Sequence, residues 1–326
     1  MNLFATVLTH IAPSANYRGE SLENVAAMQK ITIGRFDYPI ISPEAMRNAI
    51  REILRGYGAP CNRERLGDEE QLAVRFRNYP DAEQYADDFL MGWLVAQGSS
   101  ERKATLDKLK KAGRADGKFT FRRDSVLRMN LAVALEPFRH STVFTQSPRH
   151  SDESPWKNAD QSQLLHRETA VTAFQYPFAV NLDDCTTNQH KCWMELLLRA
   201  IGELNGVAGN HARSYFEMAP ASIVVRLTKQ LVAGYDTYGF EIRDPGTGGL
   251  GRGVHDFPEV VDGILHEPPD YCAKEFFVGG RIVKDMAQEK RDKLQNAGVT
   301  LSRNPQCLLD AVSKTLFSGR EHEGKK

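Results

Sequence analysis

The chain has 326 residues, enough to bury a large core, and its 41% hydrophobic and 26% charged residues are the balance of an ordinary globular protein. Lys plus Arg and Asp plus Glu are each 42, so net charge points to no polyanion or membrane surface as a partner. No apolar run approaches the about 20 residues that span a bilayer. Five cysteines without a CxxC pair argue for free thiols in a reducing compartment and against a structural zinc, so a cytoplasmic location is expected.

In chain order, "LFATVLTHI" (3–11), rich in β-branched and aromatic residues, predicts a buried strand. A polar loop, "APSANYRGESLEN", follows and carries an aromatic and a cation in "NYRG"; "KITIGRF" (30–36) predicts a strand or hairpin arm. "SPEAMRNAIREILR" (42–55) predicts a helix, with Ser42 as N-cap, Pro43 at the first helical position and Glu44 at the positive end of the dipole. Met46, Ala49, Ile50 and Ile53 form its apolar face, while Arg47, Arg51 and Arg55 stand in one row at i,i+4 spacing. Arg47 has Glu44 and Arg55 has Glu52 within reach, but nothing on the helix offers Arg51 a carboxylate.

Charge then segregates. Residues 68–100 hold two Lys/Arg against seven Asp/Glu, and 101–150 hold twelve against five, so a neutral total hides an acidic and a basic stretch. Helices are predicted over 79–96, 101–113 and 188–206, extended segments within 119–138, 169–182 and 221–227, and a polar, aperiodic stretch over 139–168. Strand, helix, two strands, helix, strand is the order of an α+β, ferredoxin-like (RRM-type) core with long helical and hairpin insertions. The single domain 1–326 would comprise core segments 3–56, 119–138 and 169–228, insertions 57–118 and 139–168, and a helical extension over 229–326.

Enzyme signals are weak. "GTGGLG" (246–251) fits GxGxxG but lies between Pro245 and Pro258, outside a strand–turn–helix setting, and reads as a flexible linker. Asp87-Asp88, Asp183-Asp184 and His255-Asp256 are pairs of a kind that can hold a metal, but acidic pairs are commoner on solvated helix starts and turns. No catalytic residue, cofactor or metal is expected.

Nucleic-acid signals are stronger. Ser42 opens a helix N-terminus suited to phosphate, with Arg47 and Arg51 one and two turns along. Arg122, Arg123 and Arg128 in "FRRDSVLRM" form a second cluster; if that segment is extended, Arg122 and Arg128 share a face. "GVAGNHARSYFEM" (206–218), with Asn210, His211 and Arg213, is a turn suited to an anion nest. Aromatic signatures of sheet-face RNA recognition are missing.

Together "LTHIAPSANYRGE", "YPIISPEAMRNAIREIL", "ADDFLMGWL", "FRRDSVLRMNLAVALEPF", "QYPFAVNL" and "GVAGNHARSYFEMAPASIVVRL" resemble the backbone subunit of type I CRISPR interference complexes (Cascade). The closest variety is the DevR autoregulator type of the Cas-seven family, in the RAMP superfamily. The resemblance implies copies that polymerise as a helical filament along one CRISPR RNA, beside other Cascade subunits, and display the guide for pairing with target DNA. It implies RNA contacts at Asn16, Tyr17 and Arg18 in the loop after the first strand and at Ser42, Arg47 and Arg51 on the first helix. It also implies a thumb that reaches a neighbouring copy, for which 139–168 is the candidate, with Trp156 or Val143-Phe144 as wedge. Related subunits that cut RNA use an aspartate in the loop after the first strand; "APSANYRGE" has none, so no cleavage is expected. The alternatives are a metal-dependent ribonuclease using Asp87 and Asp88, and a transcriptional autoregulator, for which no helix-turn-helix pattern exists.

Overall fold

A computed structural model describes residues 1–22, 25–65, 74–111, 113, 119–146, 164–207, 215–243 and 253–318. Its helices, in chain order, are α1 (Pro43–Gly56), α2 (Ala86–Met91), α3 (Ser99–Lys111), α4 (Asn188–Gly202), α5 (Pro258–Leu265), α6 (Arg281–Asp285), α7 (Gln288–Ala297) and α8 (Pro305–Ser318).

The first strand, Asn2–Thr9, pairs antiparallel with Pro220–Thr228 on one side and Phe174–Asn181 on the other. Leu127–Met129 and Ala132–Ala134, two pieces of one interrupted strand, pair antiparallel with the far side of Phe174–Asn181. Numbered along the core, the order is fourth, first, third, second, with α1 between first and second and α4 between third and fourth. A βαββαβ core has this arrangement. Pro220–Thr228 is buried at every position and Asn2–Thr9 at most, so these strands read as near-continuous apolar runs because both faces of the sheet are covered.

One face carries α1, α4 and α8, whose Met46, Ile50, Leu54, Trp193, Leu197 and Val312 pack with Leu3, Val7 and Tyr176 of the strands. The other face packs Leu8 and Val224 against Phe257, Val260, Val261 and Ile264 around α5. The sheet continues past the core to nine strands. Phe36–Ile41 and then Lys30–Ile33 extend one edge, while Phe276–Gly280 and Thr300–Ser302 extend the other. The extension after residue 229 is therefore not only helical; it supplies two strands of the main sheet, a separate two-stranded pair, and cover for part of the face opposite α1.

Three expectations change in detail. The helix predicted over 79–96 shrinks to α2: residues 79–85 form bends and turns before it, and it ends where Gly92 turns the chain at φ +60° against the Arg123–Asp124 backbone, where any Cβ would collide. Trp93–Leu94 then pair with Arg122–Arg123. The stretch read as a polar loop after the first strand holds two strands, Ala12–Ser14 and Tyr17–Leu22. The aperiodic stretch 139–168 is framed by an antiparallel pair, Thr142–Gln146 with Leu164–Glu168, and the second of these runs parallel to Val25–Met28. Trp156, and the "GTGGLG" of 246–251, lie outside the described residues.

Candidate nucleic-acid interface

Ser42 caps α1 as its type dictates, its Oγ accepting from Ala45 N–H at 3.2 Å. The arginine row behind it turns inward. Arg51 is 4% exposed, and its Nε lies 3.1 Å from Asp87 Oδ2 on α2, out of line for a hydrogen bond but close as an ion pair. Its Nη1 donates to Asn48 Oδ1 at 2.7 Å and its Nη2 to Met91 Sδ at 3.3 Å. The carboxylate missing from its own helix comes from a residue 36 positions on. Arg47 donates from Nη2 to Leu127 O at 2.8 Å and to Ser125 Oγ, and Ser125 Oγ in turn donates to Leu90 O. Arg55 pairs with Glu52 at 2.7 Å and donates to Arg63 O. Arg47 and Arg51, expected at RNA phosphates, are turned into the fold instead, and with Arg55 they tie α1 to the segments around it. Burial lowers the pKa of both Arg47 and Arg51, with nearby carboxylates acting against it.

Asp87 and Asp88 correct a second expectation, since both are 0% exposed rather than solvated. Asp87 accepts from Asn62 N–H at 2.7 Å and Arg63 N–H at 3.0 Å. Asp88 accepts from Asn62 Nδ2 and Asp81 N–H and lies 3.5 Å from Arg63 Nη2. Burial raises the Asp88 pKa against these hydrogen bonds. Asp87 is filled by protein donors, whereas Asp88 Oδ1 is buried beside Arg63 without a hydrogen bond among the described residues; the two carboxylates hold the start of the 57–118 insertion to α2.

The "FRRDSVLRM" segment is not one extended strand. Arg122 and Arg123 pair with Trp93–Leu94, whereas Arg128 pairs with Ala179 in the main sheet, so Arg122 and Arg128 share no face. Arg123 is half-buried, donates to Phe89 O at 2.7 Å, and lies over the Phe89 and Trp93 rings. Arg122 is exposed and loosely paired with Asp124 at 3.3 Å. Arg128 is exposed, with no carboxylate partner among the described residues. Its neighbours Leu127 and Met129 pack into the helical layer, so it projects from the opposite face, in register with Ala179 and Phe4. Arg35 and Arg139, which the sequence reading passed over, are likewise exposed without an ion pair among the described residues.

Asn16 is buried, and its Nδ2 donates to Ile40 O at 2.6 Å, so it fastens the first loop to the edge hairpin rather than facing solvent. Tyr17 and Arg18 open a strand, and only their backbone is described. Asn210, His211 and Arg213 lie outside the described residues. Of the other acidic pairs, Asp183 and Asp184 sit exposed on a short 3-10 turn, and His255 is buried against Ser222. Among the described residues no three His, Cys, Asp or Glu side chains are gathered as for a metal ion, and no helix is long and apolar enough to cross a membrane.

The fold places the chain with known structures. Over 97% of its length it matches the whole of a chain from a "CRISPR RNA-guided surveillance complex" (TM-score 0.54, 13% identity). It matches equally a chain from a "CRISPR RNA-guided surveillance complex, pre-nicking" (TM-score 0.55, 14% identity, 97% of this chain and 100% of that one). At the level of sequence it is 27% identical over 324 residues to the "CRISPR-associated protein Cas7/Cst2/DevR" of Myxococcus xanthus (strain DK1622), covering 96% of this chain and 99% of that protein. No family model matches the chain. The resemblance to the Cas7/Cst2/DevR proteins carried by the quoted motifs thus extends over nearly the whole of both chains.

Proposed function

We propose that this protein is a non-catalytic, CRISPR RNA-binding backbone subunit of a type I Cascade complex, assembling with copies of itself and other subunits along a guide that pairs with target DNA. The observation that carries the reading is the end-to-end likeness to a protein named Cas7/Cst2/DevR, in sequence over 324 residues. The fold, shared with chains of RNA-guided surveillance complexes, supports it. A subunit that must accept any guide sequence is served by phosphate contacts and shape, with base pairing left to carry specificity. Exposed cations without carboxylate partners suit that task, and Arg128, on the sheet face away from α1, is the foremost. Arg122 and the Ser42-capped end of α1 are further contacts in this reading, as are Tyr17, Arg18, Asn210, His211 and Arg213. Arg47 and Arg51 serve it indirectly, by fixing the segments around them. The ribonuclease alternative needs Asp87 and Asp88 as metal ligands, yet both are fully buried, with Arg51 beside the first and Arg63 beside the second.

Arg128→Ala tests the reading. Affinity for single-stranded RNA of any sequence is expected to fall by a similar factor, and the slope of log K against log salt to flatten by about 0.7 to 1, the signature of one lost phosphate contact. A loss confined to one sequence, or an unchanged slope, would remove Arg128 from the interface.

A further inference from the structure

On the sheet face away from α1, the two central strands open to solvent at one place. Along the first strand, Asn2 and Phe4 are partly exposed, while Thr6 and Leu8 on the same face are buried. Along its neighbour Phe174–Asn181, Ala179 and Asn181 are partly exposed, while Gln175 and Pro177 are buried. Asn2 is in register with Asn181 and Phe4 with Ala179, so the four positions form a single window. Arg128, exposed and in register with Ala179, stands at its far side. The segment after Pro220–Thr228 fixes the rim at three points. Asn2 Nδ2 donates to Gln230 O at 2.7 Å, Thr6 Oγ1 to Thr237 O at 3.0 Å, and Tyr238 OH to Leu131 O at 2.8 Å.

The window presents an aromatic ring, a hollow and a cation. Phe4 joins neither apolar cluster among the described residues, so core packing does not account for a phenylalanine there. Ala179 beside it offers only a methyl group, and Arg128 has no carboxylate partner among the described residues. The carboxylates at the margin are engaged. Asp183 is held by the Met1 ammonium at 3.1 Å, and Glu275 by Arg226, the register partner of Phe4 on its other side, at 2.8 Å. Phe4 and Arg128 are two strands apart, about 10 Å at about 4.8 Å per strand. A nucleotide with its base on the Phe4 ring carries its phosphate over Ala179, within reach of the long Arg128 side chain. Proteins that bind single-stranded RNA stack its bases on exposed aromatic side chains, in some folds on an open sheet face.

We propose that Phe4 stacks one RNA base on this sheet face while Arg128 holds the phosphate of the same nucleotide, with Ala179 leaving the room between them. The proposal rests on the RNA-binding reading above and deepens it, because it adds a stacking contact to the phosphate contacts. One nucleotide supplies together the anion that Arg128 lacks and the flat apolar face that suits Phe4; a protein segment would have to supply them from two side chains. Every base has a π face, so a single ring accepts any of them. The ring touches the face of the base and reads none of its edges, as a subunit that takes any guide requires.

The test is the affinity of the full chain for short A, C and U homopolymers of RNA and for an abasic ribose-phosphate oligomer of the same length. Wild type, Phe4→Leu, Phe4→Trp and Arg128→Ala are compared, with unchanged circular dichroism and melting required of each variant. Phe4→Leu is expected to lose about tenfold for all three homopolymers, within what one stacked base contributes, at the wild-type salt slope, and to bind the abasic oligomer as the wild type does. Phe4→Trp is expected to keep the affinity and to add an indole emission that RNA quenches and the abasic oligomer does not. Arg128→Ala is expected to weaken both kinds of oligomer. A Phe4→Leu variant that binds the homopolymers like the wild type, or loses as much for the abasic oligomer, would overturn the proposal, as would a Phe4→Trp variant without the added quenching. Any of these results alongside Arg128-dependent binding leaves the RNA-binding reading standing. If the wild type binds neither kind of oligomer, that reading fails and the proposal falls with it.

Discussion

Arg51 shows how one side chain changes meaning between sequence and structure. On the helix it is a cation without a carboxylate; in the fold it is a buried partner of Asp87, within a cluster that also takes in Arg63, Asp88 and Asn62. Removing one member of a buried pair leaves an uncompensated charge, at about 3 to 5 kcal/mol. Asp87→Ala is expected near the top of that range, since it also orphans the Asn62 and Arg63 N–H donors. Arg51→Ala is expected near the bottom, because Asp87 keeps those two bonds. Urea unfolding of both variants measures this; losses below about 1 kcal/mol would mean the cluster is not the tie described. Below its unfolding transition Arg51→Ala is expected to keep the wild-type salt slope for RNA, in contrast to Arg128→Ala.

At the scale of elements, the strand Pro220–Thr228, the strand Val254–Asp256 and α6 meet at one hydroxyl. Ser222 Oγ accepts from Ile282 N–H at 2.9 Å and lies 2.8 Å from His255 Nδ1, to which it can donate only while that nitrogen is unprotonated. Burial pushes the His255 pKa down from 6.5 to about 4, helped by Arg281 and His10 and opposed by Asp285. The folded pKa lies below the unfolded one, so this contribution is fully present above pH 6.5 and is lost as pH falls toward 4. It amounts to about 3 kcal/mol at most, at about 1.4 kcal/mol per unit. Stability measured in urea from pH 7.5 to 4.5 is expected to fall less steeply in His255→Gln than in the wild type; parallel curves would contradict the account.

Elements were legible where burial was regular. The first strand, α1, α4 and the strand at 220–228 follow from apolar runs and helical spacing, because each has a face dictated by the sheet. The helix predicted over 79–96 was too long because its apolar character runs on past Gly92, where a backbone turn and a new strand partner take over. Nor could spacing show that Arg51 faces α2 and Arg47 the Ser125–Leu127 backbone: those partners lie 36 to 80 residues away, and helical spacing only says that the arginines share a side. "FRRDSVLRM" failed as one strand for a related reason, since its two ends join different sheets.

For the whole molecule, balanced charge suits the proposed role of a subunit that lies beside copies of itself. Uniformly basic copies would repel along a filament, whereas a few exposed cations on a neutral body hold phosphate without that penalty. The measurement that bears most directly on the central claim is to purify the chain, with its partner subunits, from a host carrying its CRISPR array, and to extract the bound nucleic acid onto a denaturing gel. The account predicts RNA of discrete length, intact after incubation with divalent metal and shed at high salt. Protein that comes off free of RNA with its partners present, or RNA cut on addition of metal, would contradict it.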